Sequence, residues 1–176
     1  SNQQYIFLIN FWVCFLLVFF ISTNAVSSEI PPYSAKYNFE SEEISISGVR
    51  EFYKTENGHE MKFKASNLFA NLFFLSKFGI KNNEVISDSY EIKIRPKFLD
   101  RDQYLNFDYE AMEVRSEGIN KWVGSLKDDL VYDPLNVQIM IRTNVKQGLK
   151  NFKINIVDME EGGSKSYEFN VIGLEK

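Results

Sequence analysis

This 176-residue sequence predicts a mainly β protein: a curved antiparallel sheet, shaped as a half-barrel, with one central helix on the concave face and one short helix. Three observations carry that prediction. Aromatic residues make up 15% of the chain, with 16 Phe and 9 Tyr, the bulky side chains that fill sheet interiors. Apolar and polar residues alternate at period two in segment after segment from Tyr33 to Val171, the pattern of half-buried strands. The segments are separated by short polar turns, so successive strands pair antiparallel, giving about eight or nine strands. A chain of this length makes one domain with a real core.

The first 28 residues stand apart. Tyr5 to Ile21 is apolar except for Asn10, and no charge precedes Glu29. Thr23 and Ala25 occupy the -3 and -1 positions of a cleavage site, with Ser28 as a later alternative, so residues 1–28 read as a secretory signal peptide. Its basic start is missing, and the sequence is expected to begin inside the signal. An uncleaved anchor in the inner membrane is the competing reading, because the apolar run is near the lower length limit for a span. Either way the protein is expected in the periplasm, with membrane contact only through this segment. Cys14 is the only cysteine and lies inside the run. The exported part therefore has no disulfide, thiol chemistry or cysteine metal site.

Residues 29–32 read as a linker to a single domain spanning 33–176. Tyr33, Ala35, Tyr37 and Phe39 alternate with polar residues, and Ile44, Ile46 and Gly48 continue the pattern. A phase shift at Val49, Phe52 and Tyr53 predicts a bulge at Gly48. Asn57-Gly58 predicts a hairpin turn, with Met61, Phe63 and Ala65 on the return strand. Between Ser66 and Phe78 the spacing of Leu68, Phe69, Leu72, Phe73 and Leu75 predicts the short helix. Together with Phe74 and Phe78 it either plugs one end of the sheet or lines the mouth of an apolar pocket. Asn82-Asn83 is a turn, Val85 to Phe98 is strand until Pro96 ends the ladder, and further strands follow through Leu105, Phe107, Tyr109, Val114 and Trp122.

Leu130 to Gly148 is the central helix. Asp133 can accept bonds from free backbone N–H groups, Pro134 suits the first helical position, and Gly148 can close the end in a left-handed conformation. Val137, Ile139 and Ile141 alternate with Gln138, Met140 and Arg142, so a strand competes over the same residues. Read as a helix, the apolar residues from Leu135 to Val145 surround most of its circumference, as in a buried helix. Phe152, Ile154 and Ile156, the turn Glu161-Gly162-Gly163-Ser164, and Tyr167, Phe169 and Val171 form a final hairpin.

The order of Ile46-Ser-Gly-Val-Arg50, Ile94-Arg-Pro-Lys-Phe98, Leu105-Asn-Phe-Asp-Tyr109, Asp133-Pro-Leu-Asn136 and Tyr167-Glu-Phe-Asn-Val-Ile-Gly173 resembles the bacterial exported proteins grouped as domain of unknown function 3108. The resemblance implies a periplasmic half-barrel similar in outline to lipoprotein carriers of the cell envelope. It implies no catalytic residue and favours a helix after Asp133. Members run on past the corresponding end, so the last strands are expected to be missing here.

The chemistry is sparse. A net charge of -4, with lysines scattered among acids, speaks against nucleic acid as a partner. His59, the only histidine, reads as an exposed turn residue. The clusters Asp128, Asp129, Asp133 and Asp100, Asp102, Asp108 read as solvated turns, and the second fails the calcium-loop pattern. No nucleophile elbow, phosphate loop or dinucleotide fingerprint occurs, and neither metal nor cofactor is expected. A carboxylate-based hydrolase is the enzymatic alternative to a non-enzymatic protein. Arg142 either pairs with an acid or caps strand carbonyls at the rim, or holds an anionic headgroup at a pocket mouth. The leading expectation is a cell-envelope protein binding a lipid-like or other hydrophobic ligand in the concavity, lined by Phe69, Phe73, Phe78, Ile139 and Met140. The alternative is an interaction or scaffold module with a filled core that meets an envelope partner through a sheet edge.

Overall fold

The computed structural model describes residues 29–40, 45–95, 101–126 and 130–173. The proposed signal segment, Cys14, Ile44, Pro96, Phe98, Asp100, Asp128 and Asp129 lie outside these residues. Eight strands form one meander: β1 (Tyr33–Glu40), β2 (Ser45–Thr55), β3 (Gly58–Ser66), β4 (Asn71–Lys81), β5 (Glu84–Arg95), β6 (Gln103–Asp108), β7 (Glu113–Gly118) and β8 (Trp122–Ser125). Each pairs antiparallel with the next, and β1 and β8 remain as edges, so the sheet does not close into a barrel. After β9 (Val131–Tyr132) comes the helix α1 (Val137–Lys146), then β10 (Asn151–Val157) and β11 (Ser164–Asn170).

One row of directly opposed residues crosses all eight strands: Tyr33, Phe52, Met61, Ser76, Tyr90, Leu105, Ser116 and Trp122. Side chains at period two share a sheet face, so this row marks the inner face. Phe52, Met61 and Leu105 in it are almost fully buried. They join a core that includes Leu135, Val137, Ile139 and Met140 from the helix side and Ile154 and Val157 from β10. The helix thus plugs the concave face, as its apolar circumference predicts. Its far end closes with Gly148 at φ 82, where Leu149 N–H donates to Asn144 O and Gly148 N–H to Val145 O. That double bond is the Schellman arrangement, which satisfies carbonyls a helix would otherwise leave open.

The predicted short helix over 66–78 is corrected. Asn67 to Ala70 is a turn and the rest is β4, paired along its length with β3 and β5. Leu72 and Phe74 lie on the inner face, while Phe73 and Leu75 lie on the outer. Apolar residues on both faces hid the period-two pattern and imitated helical spacing. Gly48 is not a bulge: both its ladders run through it in continuous register. Its lack of a side chain makes room for the Phe63 ring, which would stand 2.8 Å from a Cβ there. The bulge falls at Lys77/Phe78, where Lys77 faces Ser89 and Phe78 faces Ser87, leaving Asp88 as the extra residue. The first hairpin turns one residue earlier than expected, at Glu56-Asn57, because Thr55 pairs with Gly58.

Two further features depart from the sequence reading. β9 pairs with β10 in parallel, with α1 as the crossover, and β11 completes a separate three-stranded sheet. The stretch 29–32, read as a linker, delivers Ile30 into the core at 4% exposure.

Candidate functional site

Helix α1 lies across the inner face between two anchor points of different chemistry. At its start Asp133 and Asn136 cap each other. The Asp133 carboxylate accepts from Leu135 N–H at 2.8 Å and Asn136 N–H at 2.7 Å. The Asn136 side-chain oxygen accepts from Asp133 N–H at 2.9 Å. This is the reciprocal arrangement of a capping box, made with Asp and Asn. Both residues are fully buried and bound to the sheet: Ser76 Oγ donates to Asp133 at 2.5 Å, and Asn136 Nδ2 donates to Ser87 Oγ at 2.8 Å. The Ser87 hydroxyl in turn donates a hydrogen bond to Val131 O at 2.9 Å. Burial pushes the Asp133 carboxyl up to about 7, against the lowering effect of its hydrogen bonds from Ser76, Asn136 and Leu135. Asp133 is therefore a cap, as predicted, but not a solvated turn residue.

Towards its other end the helix reaches β1. The Arg142 guanidinium lies over the Tyr33 ring at 4.8 Å from its centroid, and Lys146 Nζ approaches Glu29 O at 3.5 Å. Arg50 faces the same ring at 6.0 Å, covers the Tyr37 ring at 4.8 Å and donates to the Tyr37 hydroxyl. No carboxylate among the described residues pairs with Arg50 or Arg142. Arg50 Nε and the Tyr33 hydroxyl are buried without any hydrogen-bond partner. A buried donor left unmatched is costly, so this rim carries unmet hydrogen-bonding capacity. Arg50 also heads an inner-face row of directly opposed residues: Arg50, Phe63, Phe74 and Ile92. The three apolar members are half-buried, and the Phe63 and Phe74 rings stack at 5.9 Å. Cation, hydroxyl and apolar strip are therefore contiguous.

The six residues singled out from the sequence do not converge. Ile139 and Met140 are packed in the core, as is Phe78, whose ring lies 6.1 Å from Phe52 and 6.0 Å from His59. Phe73 is on the outer face, beneath the ammonium groups of Lys64 and Lys93, each 5.7 Å from its ring. Phe69 is at an exposed turn. Only Arg142 takes the rim position the sequence suggested. Tyr33, Tyr37 and Arg50 were missed, although Arg50 left a signal: it is a cation on the buried phase of β2, between Gly48 and Phe52.

His59 is also corrected. It is not an exposed turn residue but lies on β3, stacked on Phe52 at 5.6 Å and Phe78 at 6.0 Å, with Nδ1 buried and unpartnered. Burial lowers its pKa, opposed by Glu29, whose carboxylate is 3.9 Å away. It borders a recess of about 740 Å³ between the β2–β3 turn and the β4–β5 bulge. That recess mixes Glu56, Glu60, Lys77, Asp88 and Tyr109 with the apolar Phe78 and Ile86.

Trp122 packs against Gly162 and donates to Met159 O at 3.1 Å, joined there by Gln103 Nε2 at 2.6 Å. This half-buried contact fastens the β10–β11 connection to β6 and β8. Among the described residues no three of His, Cys, Asp and Glu are grouped to hold a metal, and no helix is long and apolar enough to cross a membrane.

Fold and site together define an open, helix-plugged β meander with an arginine–tyrosine rim. Compared with protein-family models, curated proteins and solved structures, the chain finds no match in any of the three.

Proposed function

We propose that this is an exported, non-enzymatic protein of the bacterial cell envelope that holds an anionic amphiphile at the rim formed by Tyr33, Tyr37, Arg50 and Arg142. The headgroup meets the two guanidiniums and the Tyr33 hydroxyl, and the apolar part lies along Phe63, Phe74 and Ile92. One observation carries the reading: two arginines converge on one tyrosine ring with no carboxylate partner among the described residues, and one of them opens an apolar row on the same face. Guanidiniums suit carboxylate and phosphate groups because their planar donors match those oxygens. Export is supported by the apolar run from Tyr5 to Ile21 within the first 28 residues, and an envelope role by the resemblance to domain of unknown function 3108. The filled centre of the concavity moves the ligand from Ile139 and Met140 to the rim. A non-enzymatic role is supported by Asp133, whose carboxylate is taken up by Ser76, Leu135 and Asn136 and has no face open to a substrate.

Native mass spectrometry of the full-length protein, followed by titration with a fluorescent fatty acid, tests this. Co-purified anionic amphiphile, and at least about tenfold weaker binding by Arg50→Gln and by Arg142→Gln, is the expected result. A wild-type protein that binds no such probe, or variants that bind it unchanged, would remove the reading.

A second reading, a scaffold module, is favoured by β11. Among the described residues it is the outer strand of the small sheet, its residues almost all exposed, with Tyr167 among them. Unpaired edge groups can accept a strand from a partner. A Ser166→Pro change that abolishes capture of an envelope partner while leaving amphiphile binding intact would support it.

A further inference from the structure

The turn between β3 and β4 presents Leu68 at 96% and Phe69 at 81% exposure. Single exposed apolar residues are ordinary, but these two adjoin each other on a turn that is held. Asn67 Oδ1 accepts from Phe69 N–H and Ala70 N–H at 2.8 Å each, and Asn67 N–H donates to Ala70 O at 3.0 Å. The side chain fixes the backbone of the tip and leaves Leu68 and Phe69 projecting past the ends of both strands.

The outer face behind this tip is basic. Lys36, Val49, Lys64, Phe73 and Lys93 form one directly opposed row across β1 to β5. The only acid this row meets among the described residues is Glu91, bound to Lys93 at 2.6 Å. Lys36 and Lys64 have no carboxylate partner there. Between them runs a groove of about 500 Å³ that ends at Ser66 and Asn71, where the tip begins. Lysines two strands apart stand roughly 10 Å from each other, and the Lys64 ammonium lies over the Phe73 ring, two residues from the start of the turn.

We propose that the β3–β4 turn docks on an anionic lipid bilayer, with Leu68 and Phe69 entering the interface and Lys36 and Lys64 meeting the headgroups. The occupant follows from the arrangement. Two apolar side chains at the end of a narrow hairpin offer too little area for a stable protein contact, but they suit the boundary between headgroups and acyl chains. Basic residues behind an apolar tip add attraction for anionic lipid. This docking does not depend on the amphiphile site: Arg50 and Phe63 lie on the opposite, inner face.

The test uses the full chain carrying Cys14→Ser and a nitroxide attached at Leu68→Cys. Spin-label accessibility then reports depth at the turn, however residues 1–28 engage the vesicle. On vesicles of phosphatidylcholine with one-third phosphatidylglycerol, the label should become accessible to oxygen and shielded from a water-soluble relaxant. Lys36→Glu combined with Lys64→Glu should reduce the inserted fraction at least about tenfold, with the β signal in circular dichroism unchanged. Arg50→Gln should leave insertion as it was. A label that stays in water on vesicle-bound protein, or that inserts equally into pure phosphatidylcholine, would overturn the proposal.

Discussion

The carboxylate of Asp133 and the hydroxyl of Ser76 meet at 2.5 Å, joining the entry of the helix to the middle of β4 with neither residue exposed. The contact links residues far apart in sequence, so it forms only when the helix has docked on the sheet. It makes the start of the helix the most informative place to perturb this fold.

Stability should depend on pH through Asp133. Its folded pKa is raised to about 7, whereas an unfolded aspartate titrates near 3.9. The folded state therefore retains the proton, and the resulting stabilisation is complete below about 4 and lost as pH rises through about 7, up to about 4 kcal/mol in total. Asp133→Asn keeps the shape and the acceptor oxygen but cannot ionise. Urea midpoints at pH 5 and pH 8 should fall for the wild type and change much less for the variant; parallel changes in both would refute the assignment.

Removing the other half of the cap should be costly. Asn136→Ala strands the buried Asp133 N–H and removes the bond Ser87 Oγ accepts, leaving Ser87 its bond to Val131 O, and the expected loss is about 2–4 kcal/mol. Gln138→Ala, which removes only an exposed bond to Pro134 O, should change stability by less than about 0.5 kcal/mol. Equal effects of the two in denaturant unfolding would mean that the buried network is not holding the helix.

His59→Phe should be tolerated, because the aromatic stack with Phe52 and Phe78 is kept and the orphaned Nδ1 disappears. The folded pKa of His59 is lowered, so its stabilisation is present above the unfolded value near 6.5 and lost as pH falls. The variant should gain on the wild type between pH 7 and pH 5 in thermal unfolding. An advantage that shrinks on acidification would show that His59 is not held neutral by its surroundings.

Two glycines should respond differently to alanine. At Gly58, with φ 144, a Cβ would stand 2.7 Å from the carbonyl oxygen of Phe78, so backbone must move, and a loss above about 2 kcal/mol is expected. At Gly148, with φ 82, nothing lies within 4 Å, and the cost should be only the left-handed conformation, about 1 kcal/mol. Thermal melts of the pair give the order directly.

Much of the architecture was legible in the chain itself. Period-two alternation marked most of the strands, Asn82-Asn83 marked a turn in which both residues adopt positive φ, and Asp133 and Gly148 marked the two ends of the helix. These features are local: they depend on backbone conformation and on which face of an element meets water. What tertiary structure alone decided is non-local. β4 looked helical because Phe73 and Phe74 are apolar on opposite faces, and only pairing with Lys64 and Lys93 explains an aromatic on the outside. Asp133 looked solvated because nothing near it in sequence reveals that Ser76 and Ser87 wait on the sheet to satisfy its cap. The rim depends on Tyr33, Arg50 and Arg142 arriving from β1, β2 and α1, a meeting set by the path of the helix across the sheet, which no stretch of the sequence records.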